Sequence, residues 1–291
     1  MVSTAAPALA QQDHMPAESG ARRGASVPLA LRVSLVALAM FVIALAPRLL
    51  NRDLFATSDE DSWMSRAGGF TFGLTNRQYG RTYQNGHPGV TTMWIAMLAQ
   101  GQDGALRFAD RVHGLRFVGL VPGYMEGLAT ARGGFAVLGA LGVAICAVLL
   151  WRLFGAWVGM VAGVMMALEP FLVANSQLVH VDGPLATFTS VAALAAIVRW
   201  WGGGSWGYTV CAGVATGLAL LSKTPAVFLL AFVPLVAVAA WWTGRRTSPS
   251  PTVGRGGRGG VAAHRRSAAL GRNRLGNLPA ALARDLGARP D

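Results

Sequence analysis

Six apolar runs of near-bilayer length dominate this chain: Pro28 to Leu50, Gly133 to Leu150, Ala156 to Ala174, Leu185 to Trp201, Tyr208 to Leu221 and Ala226 to Trp242. A soluble core of this size would break such runs with polar positions, so each reads as a membrane-crossing helix. The last five are parted by only a few polar, Gly or Pro residues, which makes neighbouring helices antiparallel hairpins. Of 291 residues, 53% are hydrophobic and only 13% charged, a profile that excludes a single soluble domain. The expected fold class is an all-α integral membrane protein with about six transmembrane helices.

A polar, Arg-containing leader over 1–27 precedes the first run. A signal peptide is the alternative reading. However, the leader is long, the apolar run exceeds a typical h-region, and Pro47-Arg48-Leu49-Leu50 offers no small-residue cleavage site, so an uncleaved helix is expected. The membrane domain is placed at 28–243, interrupted by a long outer loop over 51–132. Within that loop Val90 to Ala99 is too short to span and reads as an interfacial helix, with Trp94 at headgroup level. Cys146 and Cys211 both fall in apolar runs and read as small buried hydrophobes.

The formal charge of +12 is concentrated in a Gly-, Arg-, Pro- and Ser-rich tail over 244–291, which from Arg245 onward carries ten arginines against two aspartates. Without aromatic residues for base stacking, this tail does not suggest a nucleic-acid partner. It is expected to be disordered or weakly ordered. It reads either as a basic tail meeting anionic lipids or, the favoured expectation, as the product of a shifted reading frame.

Charge also orients the spans. With the N-terminus cytoplasmic, Arg22, Arg23, Arg32, Arg152, Arg199, Arg245 and Arg246 all fall on the cytoplasmic side, and the short outer loop Asn175 to Pro184 has no Lys or Arg. Three polar clusters then share the outer face: Asp59 to Asp61, the pair His180 and Asp182, and Lys223, the chain's single lysine. Ionisable groups gathered near a bilayer surface suggest a site.

Each cluster also has a structural explanation. Ser58-x-x-Asp61 is a capping-box pattern with Ser58 as N-cap, which accounts for Asp61. Asp59, Trp63, Arg66 and Phe70 follow at 4, 3 and 4 residues, placing an acid, an indole and a guanidinium on one helix face. That face suits a sugar phosphate, or simply an exposed salt bridge. His87 precedes Pro88, which pushes it out of helical geometry beside the membrane. Asp182 could be a helix cap before Pro184, and Lys223 could snorkel to lipid phosphates.

At these residues the chain resembles the polyprenyl-phosphate-dependent GT-C glycosyltransferases, which include protein O-mannosyltransferases and aminoarabinose transferases. The resemblance rests on Asp59-Glu60 after the first span, His87-Pro88-Gly89 through Trp94, Val181-Asp182-Gly183-Pro184-Leu185 through Phe188, and Gly217 through Ser222-Lys223-Thr224-Pro225. It covers about Pro28 to Arg246, the N-terminal half of such an enzyme, since the family usually continues through further spans. It implies a multi-pass protein of the plasma membrane with an extracytoplasmic catalytic loop. The implied reaction is inverting transfer of a sugar from a polyprenyl-phosphate-linked donor to a protein or lipid acceptor. Asp59 would be the general base, with Glu60 its neighbour, orienting the acceptor or binding a divalent cation. Arg66, His87, Asp182 and Lys223 would form the substrate and phosphate side. The cofactor is left open. A transporter or flippase, or a non-catalytic protein that binds the same lipid-linked sugars, would use the same phosphate-recognising charges without a base.

Overall fold

The computed structural model describes residues 28–84, 88–109 and 118–247, with only the backbone for 245–247. The leader over 1–27, His87 and the tail beyond 247 lie outside the described residues.

Every regular element among the described residues is helical. Helix α1 (Leu29–Arg48) is followed by α2 (Ser58–Thr75) and α3 (Val90–Leu106), and then by α4 (Tyr124–Phe154), α5 (Ala156–Leu168), α6 (Pro170–Asn175), α7 (Asp182–Trp200), α8 (Trp206–Ser222) and α9 (Phe228–Thr247). Four stretches, Leu29–Arg48, Tyr124–Phe154, Asp182–Trp200 and Thr224–Gly244, are long and apolar enough to cross a membrane. A helix of 20 residues reaches about 30 Å, the thickness of the hydrocarbon layer. The chain is an all-α membrane protein.

Two of the six expected spans differ from the reading above. The run Ala156 to Ala174 breaks at Glu169, which takes an extended conformation (φ −64°, ψ 119°). Pro170 disfavours helical geometry at the residue before it and then starts α6 at the position where a missing N–H costs nothing. The Glu169 carboxylate accepts from the Leu172 N–H at 2.6 Å and caps the new helix. The run Tyr208 to Leu221 becomes α8, whose 17 residues are apolar but shorter than the other spans.

Helix α4, 31 residues long, is the axis of the bundle and packs against α1, α3, α5 and α7. The contacts are made by small side chains: Ala136, Ala140 and Ala147 of α4, Ala192, Ala195 and Ala196 of α7, and Ala215 and Ala219 of α8 are all buried. Such residues let helix backbones approach closely where lipid supplies no hydrophobic drive between helices. Gly159 shows the requirement directly, because a Cβ there would stand 2.7 Å from the Trp151 nitrogen and 2.8 Å from the Ala147 oxygen. Outward faces are apolar instead, as in the exposed row Leu31, Leu35, Leu38 and Val42 of α1.

One buried cation joins these helices. Arg48, 1% exposed, donates to the Ala44 and Ala167 carbonyls at 2.7 and 2.8 Å and to Ser176 Oγ at 2.7 Å. The two carbonyls lie at the C-terminal ends of α1 and α5, where the helix dipoles are negative and a guanidinium is favourable.

Helices α2 and α3 lie over one end of the bundle. The expected interfacial helix Val90 to Ala99 is longer than anticipated, running to Leu106 with a non-helical Gly101 (φ 71°, ψ 167°) inside. Trp94 on it is 41% exposed and meets Phe70 of α2 edge to face at 5.3 Å. The two helices, the first half of α4 and the loop before α7 share a core that includes Trp63, Met64, Phe70, Met93, Leu128, Phe135, Val179 and Val181. A cap with its own packed interior can hold side chains in fixed positions at the membrane edge.

Candidate functional site

The start of α2 sends two adjacent acids in opposite directions. The N-cap is Thr57, one residue before the expected Ser58. The Thr57 hydroxyl accepts from the Glu60 N–H at 3.4 Å, and its own N–H donates to Glu60 Oε2 at 3.0 Å, a complete capping box. The acid in the box is thus Glu60. Asp61, expected to fill that place, instead accepts from the Gly119 N–H at 2.5 Å.

Glu60 is 0% exposed and fully engaged. Arg132 of α4 grips it in a two-pronged pair, Nε to Oε1 at 2.7 Å and a terminal nitrogen to Oε2 at 2.6 Å. The Val179 N–H adds a third bond at 3.0 Å. Arg132, itself 1% exposed, also donates to the Arg52 carbonyl at 2.5 Å and lies 5.0 Å over the Phe55 ring. Burial pushes the Glu60 carboxyl up, but the bonds from Arg132, Thr57 and Val179 outweigh it and hold the group below its ordinary value. Glu60 was expected beside the chemistry; its oxygens are instead committed to joining α2, α4 and the loop before α7.

Asp59, one residue earlier and therefore about 100° around the helix, points the other way with its side chain 73% exposed. It opens a line of charges. Its Oδ2 is 3.7 Å from His180 Nε2, His180 Nδ1 is 3.2 Å from Asp182 Oδ2, and Asp182 Oδ1 is 2.7 Å from Lys223 Nζ. These groups come from α2, the loop after α6, the start of α7 and the end of α8. Asp182 does not serve as a helix cap, the alternative its place before Pro184 offered, since α7 has no side-chain cap and its N-cap is Val181. Its carboxylate accepts from Lys223 Nζ and lies beside His180 Nδ1, and its backbone N–H donates to that same Nδ1 at 3.4 Å.

Arg66 and Lys223 are each held by neighbours. The Arg66 guanidinium lies 4.5 Å over the Trp63 ring, which meets His180 edge to face at 6.4 Å. Burial lowers the Arg66 pKa, and the Asp59 charge opposes that. Lys223 follows a two-bond tie between the end of α8 and the start of α3: the Gly89 N–H donates to the Leu221 carbonyl at 3.0 Å, and Thr91 Oγ1 meets Ser222 Oγ at 2.7 Å.

Beside Asp182 an apolar groove of about 670 Å³ runs between α6, α7 and α9, lined by Phe171, Leu185, Ala193, Pro225, Phe228 and Phe232 among others. One member of the line, Asp182, thus also lines an apolar space. Among the described residues no group of three or more His, Cys, Asp or Glu side chains is arranged to hold a metal ion.

Of the six site residues expected from sequence, the structure brings together Asp59, Arg66, Asp182 and Lys223, turns Glu60 inward, and does not describe His87. Two contributors were missed. Arg132 was assigned to the loop because the span was started at Gly133, although an arginine at the edge of an apolar helix is a signal for a buried partner. His180 was noticed beside Asp182 but given no role.

Residues 125–253 match the family model for dolichyl-phosphate-mannose-protein mannosyltransferase. The matched segment is similar to this glycosyltransferase family. It holds Arg132, His180, Asp182 and Lys223, whereas α2, with Asp59 and Glu60, precedes it. No curated protein and no solved structure matches the chain.

Proposed function

We propose that this chain transfers a sugar, with inversion, from a polyprenyl-phosphate-linked donor to a hydroxyl of a protein or lipid acceptor. The observation that carries this reading is the gathering of the exposed Asp59 with the Asp182–Lys223 pair, Asp182 also lining an apolar groove. A hydroxyl attacking an anomeric carbon needs a base within reach, and the departing phosphate needs positive charge where its own charge develops. Asp59 is the base. It takes the acceptor proton as the oxygen bonds to the anomeric carbon, and the electrons of the breaking carbon–oxygen bond leave with the phosphate. Lys223, oriented by Asp182, and Arg66 face that phosphate, while the groove takes the isoprenoid chain. One inversion needs one base, in agreement with Glu60 serving structure.

Sidedness follows from charge. The bundle end opposite the site carries Arg152 and Arg199 in the last turns of α4 and α7. Arg199 there lies 4.7 Å over Trp200 and 5.4 Å over Trp206, an aromatic and cationic border expected of a cytoplasmic interface. We assign the site to the face away from the cytoplasm on this charge bias, in a plasma membrane as the family resemblance implies.

The test is transfer of label from radiolabelled dolichyl-phosphate mannose into membranes that hold the full chain. Asp59→Asn should lower transfer by about 10²- to 10⁴-fold with insertion unchanged, and retained transfer rejects the base assignment. Label that crosses the membrane without a new glycosidic bond identifies a transporter instead.

A further inference from the structure

We infer that His180 is a positioning residue for this reaction, bridging Asp59 to the Asp182–Lys223 pair and holding the base in register with the phosphate side. The inference rests on the transfer reading above but concerns a residue to which that reading gives no task.

Asp59 is mostly exposed and sits on the cap, whereas Asp182 and Lys223 belong to the bundle. Asp59 and Asp182 flank the His180 ring, and their like charges repel, so the base would swing away without a group between them that contacts both. An imidazole presents nitrogens on two edges, and here one edge faces Asp59 Oδ2 at 3.7 Å while the other faces Asp182 Oδ2 at 3.2 Å. Nδ1 also accepts from the Asp182 N–H at 3.4 Å, so the ring is tied to the start of α7 while its other edge is presented to Asp59.

His180 is itself held in place. The preceding Val179 is buried and its N–H is bound by Glu60, which Arg132 fixes in turn. The ring is only 25% exposed at its side chain and stands 89° to the Trp63 plane, on the indole that carries Arg66. The inward acid thus sets the backbone from which His180 reaches the outward one. The 3.7 Å gap to Asp59 exceeds a hydrogen bond, and catalytic contacts often close only when substrate is bound.

The experiment pairs kinetics with a spectroscopic reading. With radiolabelled dolichyl-phosphate mannose, His180→Ala should lower kcat about 10- to 100-fold while donor KM stays within about 2-fold. In the Asp59→Asn background the same change should cost nothing further, because His180 acts through Asp59. His180→Gln, close in size, serves if the alanine variant folds poorly. In nanodiscs containing the full chain with ring-¹⁵N histidine, the signal lost in His180→Gln among the five histidines belongs to His180, and Asp59→Asn should move it. Unchanged kcat, a loss carried by KM alone, additive losses in the double variant, or a ring signal indifferent to Asp59→Asn each overturn the inference. The ring signal needs no turnover, so it decides the bridge even if dolichyl-phosphate mannose is not the natural donor. Activity retained in Asp59→Asn alone defeats the base assignment, whereas loss there with His180→Ala at wild-type rate defeats only the bridge.

Discussion

Asp59 and Glu60 are neighbours in sequence with opposite circumstances. Glu60 is sealed among a guanidinium, a backbone N–H and its own helix cap; Asp59 is largely exposed, 3.7 Å from an imidazole and near enough to Arg66 for their charges to interact. Removing one partner of a buried pair strands a charge, while removing an exposed acid strands little. The pair therefore separates the work of holding the site from the work of the chemistry, and the two should fail differently when altered.

Arg132→Ala should break the comparison most severely. It leaves the Glu60 charge buried alone, and a loss of about 3–5 kcal/mol is expected, read as a drop in the thermal unfolding transition of the purified protein in detergent. Transfer should vanish with it. The double change Glu60→Met with Arg132→Met should restore much of the stability, since a buried pair replaced by apolar side chains is often neutral. Asp59→Asn should do the reverse, abolishing transfer with the unfolding transition almost unmoved.

Lys223→Ala comes next. Losing a positive group opposite developing charge should reduce kcat by about 10²- to 10³-fold. Its half-exposed pairing with Asp182 should contribute under about 1 kcal/mol to folding. Lys223→Arg, which keeps the charge with a different shape, should recover part of the rate.

Acid sharpens the contrast further. The Glu60 carboxyl titrates below its ordinary 4.5 in the folded protein, so as pH falls from that value the unfolded chain takes up the proton first. The stability Glu60 contributes is therefore complete above 4.5 and disappears as pH drops through the folded value. Glu60→Gln should flatten that part of a stability-against-pH curve, and an unchanged slope would remove Glu60 as its source. The smallest effect is expected for Thr57→Ala, about 1 kcal/mol from the lost cap, seen in the same unfolding assay.

The helix face of α2 was legible in sequence because its spacing carries the information: Trp63 and Phe70 are buried as their positions demand, and Arg66 lies on the indole. What was not legible turned on single residues. Thr57 and Ser58 are both good caps, and choosing the wrong one rotates the assignment of the following acids by about 100°. Arg132 was hidden because hydropathy finds the apolar part of a helix and α4 begins nine residues earlier, at Tyr124 rather than Gly133. The partnership of His180 depends on a fold that brings the starts of α2 and α7 together, which no local pattern encodes. Four of the six spans were readable; Ala156 to Ala174 breaks at Glu169, and Tyr208 to Leu221 forms a helix shorter than the other spans.

That break has a consequence for traffic. Because α5 stops at Leu168 and the chain restarts at an angle permitted by Pro170, Phe171, Leu172 and Asn175 line the groove beside α7. A carrier with a long isoprenoid tail then needs no threading through a closed tunnel. On the proposed reading it enters edgewise from the surrounding lipid, gives up its sugar, and leaves still carrying its phosphate by the same side.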